Sequence, residues 1–365
     1  MSRHVGGLGA LLVATVGSLA CDAETGVTCV AASQLTNGAA AAQYLMLEPW
    51  EEEAVLFLDV TLDGPPSTAQ CTGVLIGAQW ALTAAHCLAG RVALETRVAV
   101  GVSAQSPILE TGGRAWLIHP SLDLALVSLD DEVPLSAASP LRLASVLPDW
   151  FGAGQLVQIA GYGFDQNDAQ GTRTFLVERV VGVQSDEVRV SADGLAGACR
   201  GDSGGPLLIR GVDGSVEVLG LLGHGSASCY GEDSYTRVDA VAAWITEQTG
   251  GIEVSPPPEG GAYTVLTSAG RCFGDVAVWR EEKDARRERC SAGQTCGFDA
   301  TAKGFRCVPA GTDPCAGITD VGDCAGAVTR RCVAGQVQTG DCALCGAGCG
   351  FSPTSGAASC VASSP

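Results

Sequence analysis

Basic residues are scarce in this chain of 365: 21 Lys and Arg stand against 40 Asp and Glu, a net charge of −19. A nucleic-acid binder needs a cationic footprint to displace counterions from phosphates, so that class of function is excluded. Charged residues make up only 17% of the chain and hydrophobic ones 46%, which excludes global disorder and leaves material for a core. Histidine is rarer still, four in all and none beyond residue 250. Long apolar runs are missing except at the N-terminus, from Val5 to Ala20 behind Arg3 and His4. That run is short for a membrane span of about 20 residues. It ends in Ser18-Leu19-Ala20, which suits signal peptidase, so residues 1–20 read as a cleaved secretory signal.

Cysteine, in contrast, is abundant. Seventeen are too many for a reducing cytosol and place the protein in an oxidising compartment, secreted or in the cell envelope. Cys21 falls where a bacterial lipoprotein carries its lipidated cysteine, although Ser18-Leu19-Ala20 is an imperfect lipobox. Setting Cys21 aside leaves 16, an even number able to pair. Cys21 is therefore either a lipid anchor, the chain's one route to a membrane, or an ordinary disulfide cysteine. Six cysteines fall in residues 1–250 and eleven after them, so two kinds of domain share the chain. Its length accommodates two to three domains at about 100–200 residues each.

From Glu53 to Gly250 short β-rich segments alternate with Gly, Asp, Ser and Pro. Examples are Val55-Leu56-Phe57-Leu58, Val74-Leu75-Ile76, Leu156-Val157-Gln158-Ile159, Val188-Arg189-Val190 and Val218-Leu219-Gly220-Leu221-Leu222. Many short strands at modest spacing indicate an all-β sandwich or barrel. Val241, Trp244, Ile245 and Gln248 follow helical spacing, with Gly250 placed as a C-cap glycine. Residues 251–263 are rich in proline and glycine and read as a linker.

Beyond the linker, Cys272, Cys290, Cys296 and Cys307 recur as Cys324, Cys342, Cys349 and Cys360, at offsets of 52, 52, 53 and 53. Gly-Phe follows each third cysteine and valine each fourth, which marks residues 264–365 as a tandem repeat held by disulfides. Cys332 and Cys345 occur only in the second copy and are expected to pair, leaving Cys315 for Cys29. The absence of histidine there argues against zinc at Cys342-x2-Cys345, and no metal or cofactor is expected anywhere in the chain. The partner of the repeats is not specified by their sequence.

Three segments carry chemistry: Leu82-Thr83-Ala84-Ala85-His86-Cys87, Leu122-Asp123-Leu124-Ala125-Leu126-Val127 and Ala198-Cys199-Arg200-Gly201-Asp202-Ser203-Gly204-Gly205-Pro206. In this order they resemble the trypsin/chymotrypsin family of serine endopeptidases over about residues 35–250. The resemblance implies two packed six-stranded antiparallel β-barrels, a short C-terminal helix, and an active site between the barrels acting on protein or peptide substrates. It assigns His86 as general base, Asp123 as the group that fixes the imidazole tautomer, Ser203 as nucleophile, and the N–H groups of Gly201 and Ser203 as the oxyanion hole. Gly201-Asp202-Ser203-Gly204-Gly205 also satisfies the nucleophile elbow of α/β-hydrolases, but that fold places its histidine far downstream of the serine. His224, 21 residues on, is too close. His119, in a His-Pro turn, reads as structural.

Cys71 with Cys87, and Cys199 with Cys229, match family bridges. Gly161-Tyr162-Gly163 and Tyr235-Thr236-Arg237-Val238 match further landmarks. The chain departs from the family in three places. The expected mature N-terminus is best matched by Leu35-Thr36-Asn37-Gly38, so activation requires cleavage after Gln34 and pairing of the Leu35 ammonium with Asp202. The alternative is an enzyme that is active without that cleavage. Gly223-His224-Gly225 stands where Ser-Trp-Gly is usual, removing a partner of the catalytic aspartate and an apolar wall. In the specificity pocket, lined by Gly197, Ala198, Gly223, His224, Gly225 and Asp233, glycine occupies 197 where a trypsin-like floor has aspartate. Asp233 on the opposite wall can supply a charge for Lys or Arg at the cleavage site, unless it faces solvent in a shortened loop. The expected organisation is signal (1–20), N-terminal or pro segment (21–34), protease domain (35–250), linker (251–263) and repeat module (264–365). The competing reading is a catalytically silent scaffold that binds through its repeats.

Overall fold

A computed structural model describes residues 47–362 apart from 89, 148–150, 212–214, 253–265, 283, 314, 334–335, 343–346 and 352–356, together with 20–21, 29–30, 39, 42 and 45. The expected signal and the Gln34–Leu35 activation site lie outside the described residues, as do most of the linker, Cys345 and the side chains of Cys21, Cys29 and Cys360.

Six strands close the first barrel: β1 (Val55–Leu62), β2 (Thr68–Gly77), β3 (Trp80–Thr83), β4 (Ala93–Val100), β5 (Leu109–Ile118) and β6 (Ala125–Leu129). Around the barrel they run β1-β2-β3-β6-β5-β4. Closure pairs every strand on both sides, so no bare edge is left. The short β7 (Arg142–Leu143) then leads into β8 (Leu156–Gly161), β9 (Thr174–Val183), β10 (Glu187–Ser191), β11 (Pro206–Arg210), β12 (Val216–His224) and β13 (Glu232–Arg237). These last six pair in the order β8-β9-β10-β13-β12-β11, and β11 pairs again with β8, so a second six-stranded barrel closes with β7 added parallel to β12. The two six-stranded antiparallel barrels expected from the resemblance are both present.

The barrels are locked where they meet. Tyr162, fully buried, sits with its hydroxyl 2.5 Å from the Gly101 carbonyl oxygen and 3.1 Å from that of Val55, while its N–H donates to Thr72 Oγ1 at 3.0 Å. One residue of the second barrel thus reaches three points of the first. Before β1 the short helix α1 (Pro49–Glu52) was not anticipated. After β13 the predicted helix appears as α2 (Ala242–Thr249), ended by Gly250 in the left-handed conformation at φ 73°. Ile245 of that helix is buried and Trp244 packs against the core.

In the Cys-rich region one strand pattern occurs twice. β14 (Arg271–Phe273), β15 (Val276–Glu281) and β16 (Asp284–Arg289) form a three-stranded sheet, followed by the hairpin β17 (Gln294–Asp299) and β18 (Gly304–Pro309). The second copy has β19 (Asp323–Ala325), β20 (Val328–Val333) and β21 (Gln336–Asp341), then β22 (Ala347–Phe351) and β23 (Ala358–Ala362). Disulfides Cys272–Cys296 and Cys290–Cys307 tie sheet to hairpin in the first copy, and Cys324–Cys349 repeats the first of these. The expected pairing of the two extra cysteines is corrected. Cys315 bonds Cys332, because residues 315–318 pack into the same core cluster as β20. Cys332 therefore does not bond Cys345, nor Cys315 Cys29.

The first repeat is docked on the catalytic barrels. Trp50 of α1 packs with Leu266, Phe273, Val276 and Val278, and the buried Arg271 reaches Glu51 Oε2 at 2.6 Å beneath that apolar cover. Removing one partner of a buried ion pair strands the other, which costs about 3–5 kcal/mol. Arg271→Ala is therefore expected to lose about that much stability in denaturant unfolding of the full chain. A loss below about 1 kcal/mol, the scale of an exposed pair, would contradict this burial.

Candidate functional site

His86 lies in a single 3-10 turn, Ala85–Leu88, directly after β3. The Cys71–Cys87 disulfide fastens that turn to β2. Asp123 precedes β6, the neighbour of β3, so pairing of these two strands brings histidine and aspartate together. His86 Nδ1 is 2.6 Å from Asp123 Oδ2, and the His86 backbone N–H donates to Oδ1 at 2.8 Å. Both carboxylate oxygens thus fix the same residue. A proton on Nδ1 satisfies the contact and leaves the Nε2 lone pair free to accept. Burial works to raise the Asp123 carboxyl, but the two His86 hydrogen bonds and the nearby His86 and His224 charges outweigh it and hold it below its ordinary range.

Ser203 sits in a turn clamped to the first barrel. Its carbonyl accepts from Thr72 N–H at 2.9 Å, and Thr72 Oγ1 donates to the Gly201 carbonyl at 2.9 Å. Gly201 and Gly204 take φ of 97° and 79°, a region that disfavours side chains. Space adds a second constraint at 204: a Cβ there would collide with Thr83 Oγ1 and lie 2.6 Å from the Ala84 backbone nitrogen. Glycine alone lets the serine turn approach the histidine segment this closely.

Asp202 accepts from Gly163 N–H at 2.7 Å and Cys199 N–H at 2.9 Å. The Gly161-Tyr162-Gly163 landmark now has a physical reason, since a side chain at either glycine would strike the Asp202 carboxylate. Desolvation pushes the Asp202 carboxyl up to about 6, against the pull of the two amides and helped by the charge of Asp233.

Asp233 is fully buried in β13, which rules out the solvent-facing alternative. Its oxygens accept from Ala198 N–H at 2.6 Å and Ser226 N–H at 3.1 Å, so it lies between the 197–199 and 224–226 segments. A Cβ at either Gly197 or Gly225 would come within 3.1 Å of it, so only glycine leaves room in front of this carboxylate. Gly223 stands beside the aspartate, its Cβ position 3.4 Å from Asp123 Oδ2, and there a serine hydroxyl could have reached it. His224 is exposed, with its ring centroid 6.4 Å from that of His86. His119 is structural in geometry: Nδ1 accepts from the N–H groups of Ser121 and Leu122, and the ring meets Trp244 edge-on.

One residue of this region was missed. Glu178 of β9 is 1% exposed and is flanked by the charges of Asp233 and Asp202. Burial, then those two charges, drives its carboxyl well above the usual range, so it keeps its proton, whereas burial raises the Asp233 carboxyl against the pull of the Ala198 and Ser226 amides. The signal was available in the alternation of Leu176, Glu178 and Val180, which puts Glu178 on the same face as two apolar neighbours. Among the described residues no group of three His, Cys, Asp or Glu side chains could hold a metal ion.

The family model described as Trypsin matches residues 57–245. The chain belongs to the trypsin family. Brachyurin of Leptuca pugilator is 30% identical over 227 residues, covering 55% of this chain and 94% of that protein. Granzyme M of Homo sapiens is 32% identical over 209 residues, covering 49% and 79% respectively. A solved structure described as HL collagenase aligns with 56% of this chain and 98% of its own, at 23% identity and a TM-score of 0.47. As a trypsin-family serine endopeptidase, the protein combines peptide-bond hydrolysis with a Cys-rich region that lies outside the matched segment.

Proposed function

We propose that the protein hydrolyses peptide bonds through His86, Asp123 and Ser203, by way of an acyl-enzyme. The observation that carries this reading is the 2.6 Å contact between His86 Nδ1 and Asp123 Oδ2, with the second carboxylate oxygen on the His86 N–H. Ser203 Oγ attacks the scissile carbonyl carbon while its proton passes to His86 Nε2. The resulting imidazolium is stabilised by Asp123 and gives that proton to the leaving amine as the C–N bond breaks. Water, deprotonated in the same way, then cleaves the ester. The N–H groups of Gly201 and Ser203 stabilise the oxyanion, one such donor being worth about 3–4 kcal/mol. No observation favours the silent scaffold.

The finer assignments rest on the same residues. Gly197, Ala198, Gly223, His224, Gly225 and Asp233 form the pocket for the side chain preceding the cleaved bond. The buried Asp233, behind Gly197 and Gly225, supports Lys or Arg as that side chain. Activation pairs the Leu35 ammonium with Asp202, adding a cation to a carboxylate that already accepts from the Gly163 and Cys199 N–H groups. The enzyme is secreted or attached to the envelope, through lipid at Cys21 in the latter case. Incubating the mature protein with an unfolded protein substrate and sequencing the new ends tests the reading. Cleavage after Lys and Arg is expected; cleavage only after Leu or Phe would exclude the charged pocket, and no cleavage would exclude the catalytic assignment.

A further inference from the structure

The two repeats meet at a crevice of about 350 Å3, lined among others by Trp279, Arg280, Glu281, Lys303 and Arg306 of the first copy and Gly326 of the second. In a chain of net charge −19 this is a cationic island: three basic side chains face it against one carboxylate. That carboxylate, Glu281, is already engaged by Arg286 at 2.7 Å.

Both arginines are held in place. The Arg306 guanidinium lies 4.0 Å from the Trp279 ring centroid, and its Nη1 donates to the Phe305 carbonyl at 2.7 Å. Lys303 ends a turn organised by Asp299, whose Oδ1 accepts from Thr301 and Ala302 N–H groups. Arg280 Nε donates to the Leu266 carbonyl at 2.7 Å. Arg306 is half-buried yet makes no ion pair among the described residues, and Lys303 makes none either. The acidic groups facing Arg306 are Asp299, Glu288 and Glu281, and desolvation still lowers its affinity for its proton despite them. A planar donor stacked on an aromatic ring, desolvated and lacking a carboxylate of its own, is built to receive one from outside. At Gly326 an added Cβ would meet no atom within 4 Å, so that wall is open.

We infer that this crevice binds a peptide carboxylate, making the repeat module a second, non-catalytic contact for polypeptide ligands. The volume fits a few residues. An extended polyanion such as an acidic polysaccharide would leave the island and meet the negative surface around it, whereas a single carboxylate does not. An aspartate or glutamate side chain and a chain-terminal carboxylate share this chemistry.

The full chain carrying Ser203→Ala, which prevents hydrolysis of the probes, is titrated calorimetrically at low salt. Four probes are used: an N-acetylated, C-amidated Gly-Glu-Gly, its Gln counterpart, an acetylated triglycine with a free C-terminus, and an oligouronate. Binding of the Glu probe, the free-carboxylate probe or both is expected and identifies the source, with the Gln probe inert. Arg306→Gln and Lys303→Gln are each expected to weaken binding by about tenfold, and added salt to weaken it further. Lys303→Gln leaves the Arg306–Trp279 stack in place, and an unchanged thermal melt verifies its fold. No carboxylate probe binding, equal binding of the Gln probe, unchanged affinity in Lys303→Gln, or binding only of an oligouronate would each overturn the inference.

Discussion

Ser203→Ala is expected to lower kcat on peptide substrates by about 10^5–10^6-fold while KM changes little. The hydroxyl is the only atom of the site that bonds to substrate carbon, whereas the pocket that binds the ground state is untouched by its loss. Asp123→Asn is expected to cost about 10^4-fold, by a different route. An amide in that place can present N–H to His86, reverse the ring's tautomer and remove the lone pair that accepts the serine proton. Because His86 holds both oxygens of Asp123 and keeps its carboxyl below the ordinary range, the aspartate stays ionised through mildly acidic pH. Steady-state kinetics of the two variants on one substrate check both figures. A Ser203→Ala enzyme that keeps more than about a hundredth of wild-type kcat would be incompatible with covalent catalysis by this residue.

The second large effect concerns the two neighbouring carboxyls behind the pocket. Asp233→Ser is expected to reduce kcat/KM for Lys and Arg substrates by about 100-fold relative to a leucine substrate, the scale of one desolvated charge-assisted contact. Since Asp233 also receives the Ala198 and Ser226 amides, that variant can lose structure, and Glu178→Gln provides the independent test. The sign of its pH effect follows from where the proton sits. Burial and the charges of Asp233 and Asp202 raise the Glu178 carboxyl in the folded protein, so the unfolded chain releases this proton at lower pH than the folded one. The folded state then binds more protons, and stability falls as pH rises above the ordinary glutamate range, by up to about 1.4 kcal/mol per pH unit. Asp202, raised to about 6, adds a slope of the same sign that ends near that pH. Glutamine is nearly isosteric with glutamate but does not titrate. Glu178→Gln should therefore gain stability on wild type progressively as pH rises above the ordinary glutamate range, read by urea unfolding, with the slopes of Asp202 and Asp233 remaining. Parallel stability curves for the two proteins would show that Glu178 is not the buried proton carrier.

Most of the catalytic region was legible in the sequence because its constraints are local. Gly201 and Gly204 betray backbone that only glycine tolerates, and Cys71 and Cys87 close a short loop around His86. The strands Val55–Leu62 and Val216–His224 announce themselves by the apolar runs Val55–Leu58 and Val218–Leu222, and Gly250 marks the end of α2. What escaped depends on contacts between distant segments. Arg271 meets Glu51 across 220 residues, and nothing in either segment names the other. Glu178 acquires its significance only from the nearby Asp233, which a separate strand, β13, supplies. The Cys315–Cys332 bond was misjudged because cysteine parity counts partners without ranking them, and only the packing of residues 315–318 against β20 decides.

Covalent labelling by a peptidyl phosphonate, followed by mass-spectrometric mapping, bears most directly on the joint action of His86, Asp123 and Ser203. One adduct per molecule is expected, on Ser203, formed slowly or not at all in Asp123→Asn and absent in Ser203→Ala. A wild-type protein that is folded and mature yet forms no adduct, or forms it on another residue, would contradict it.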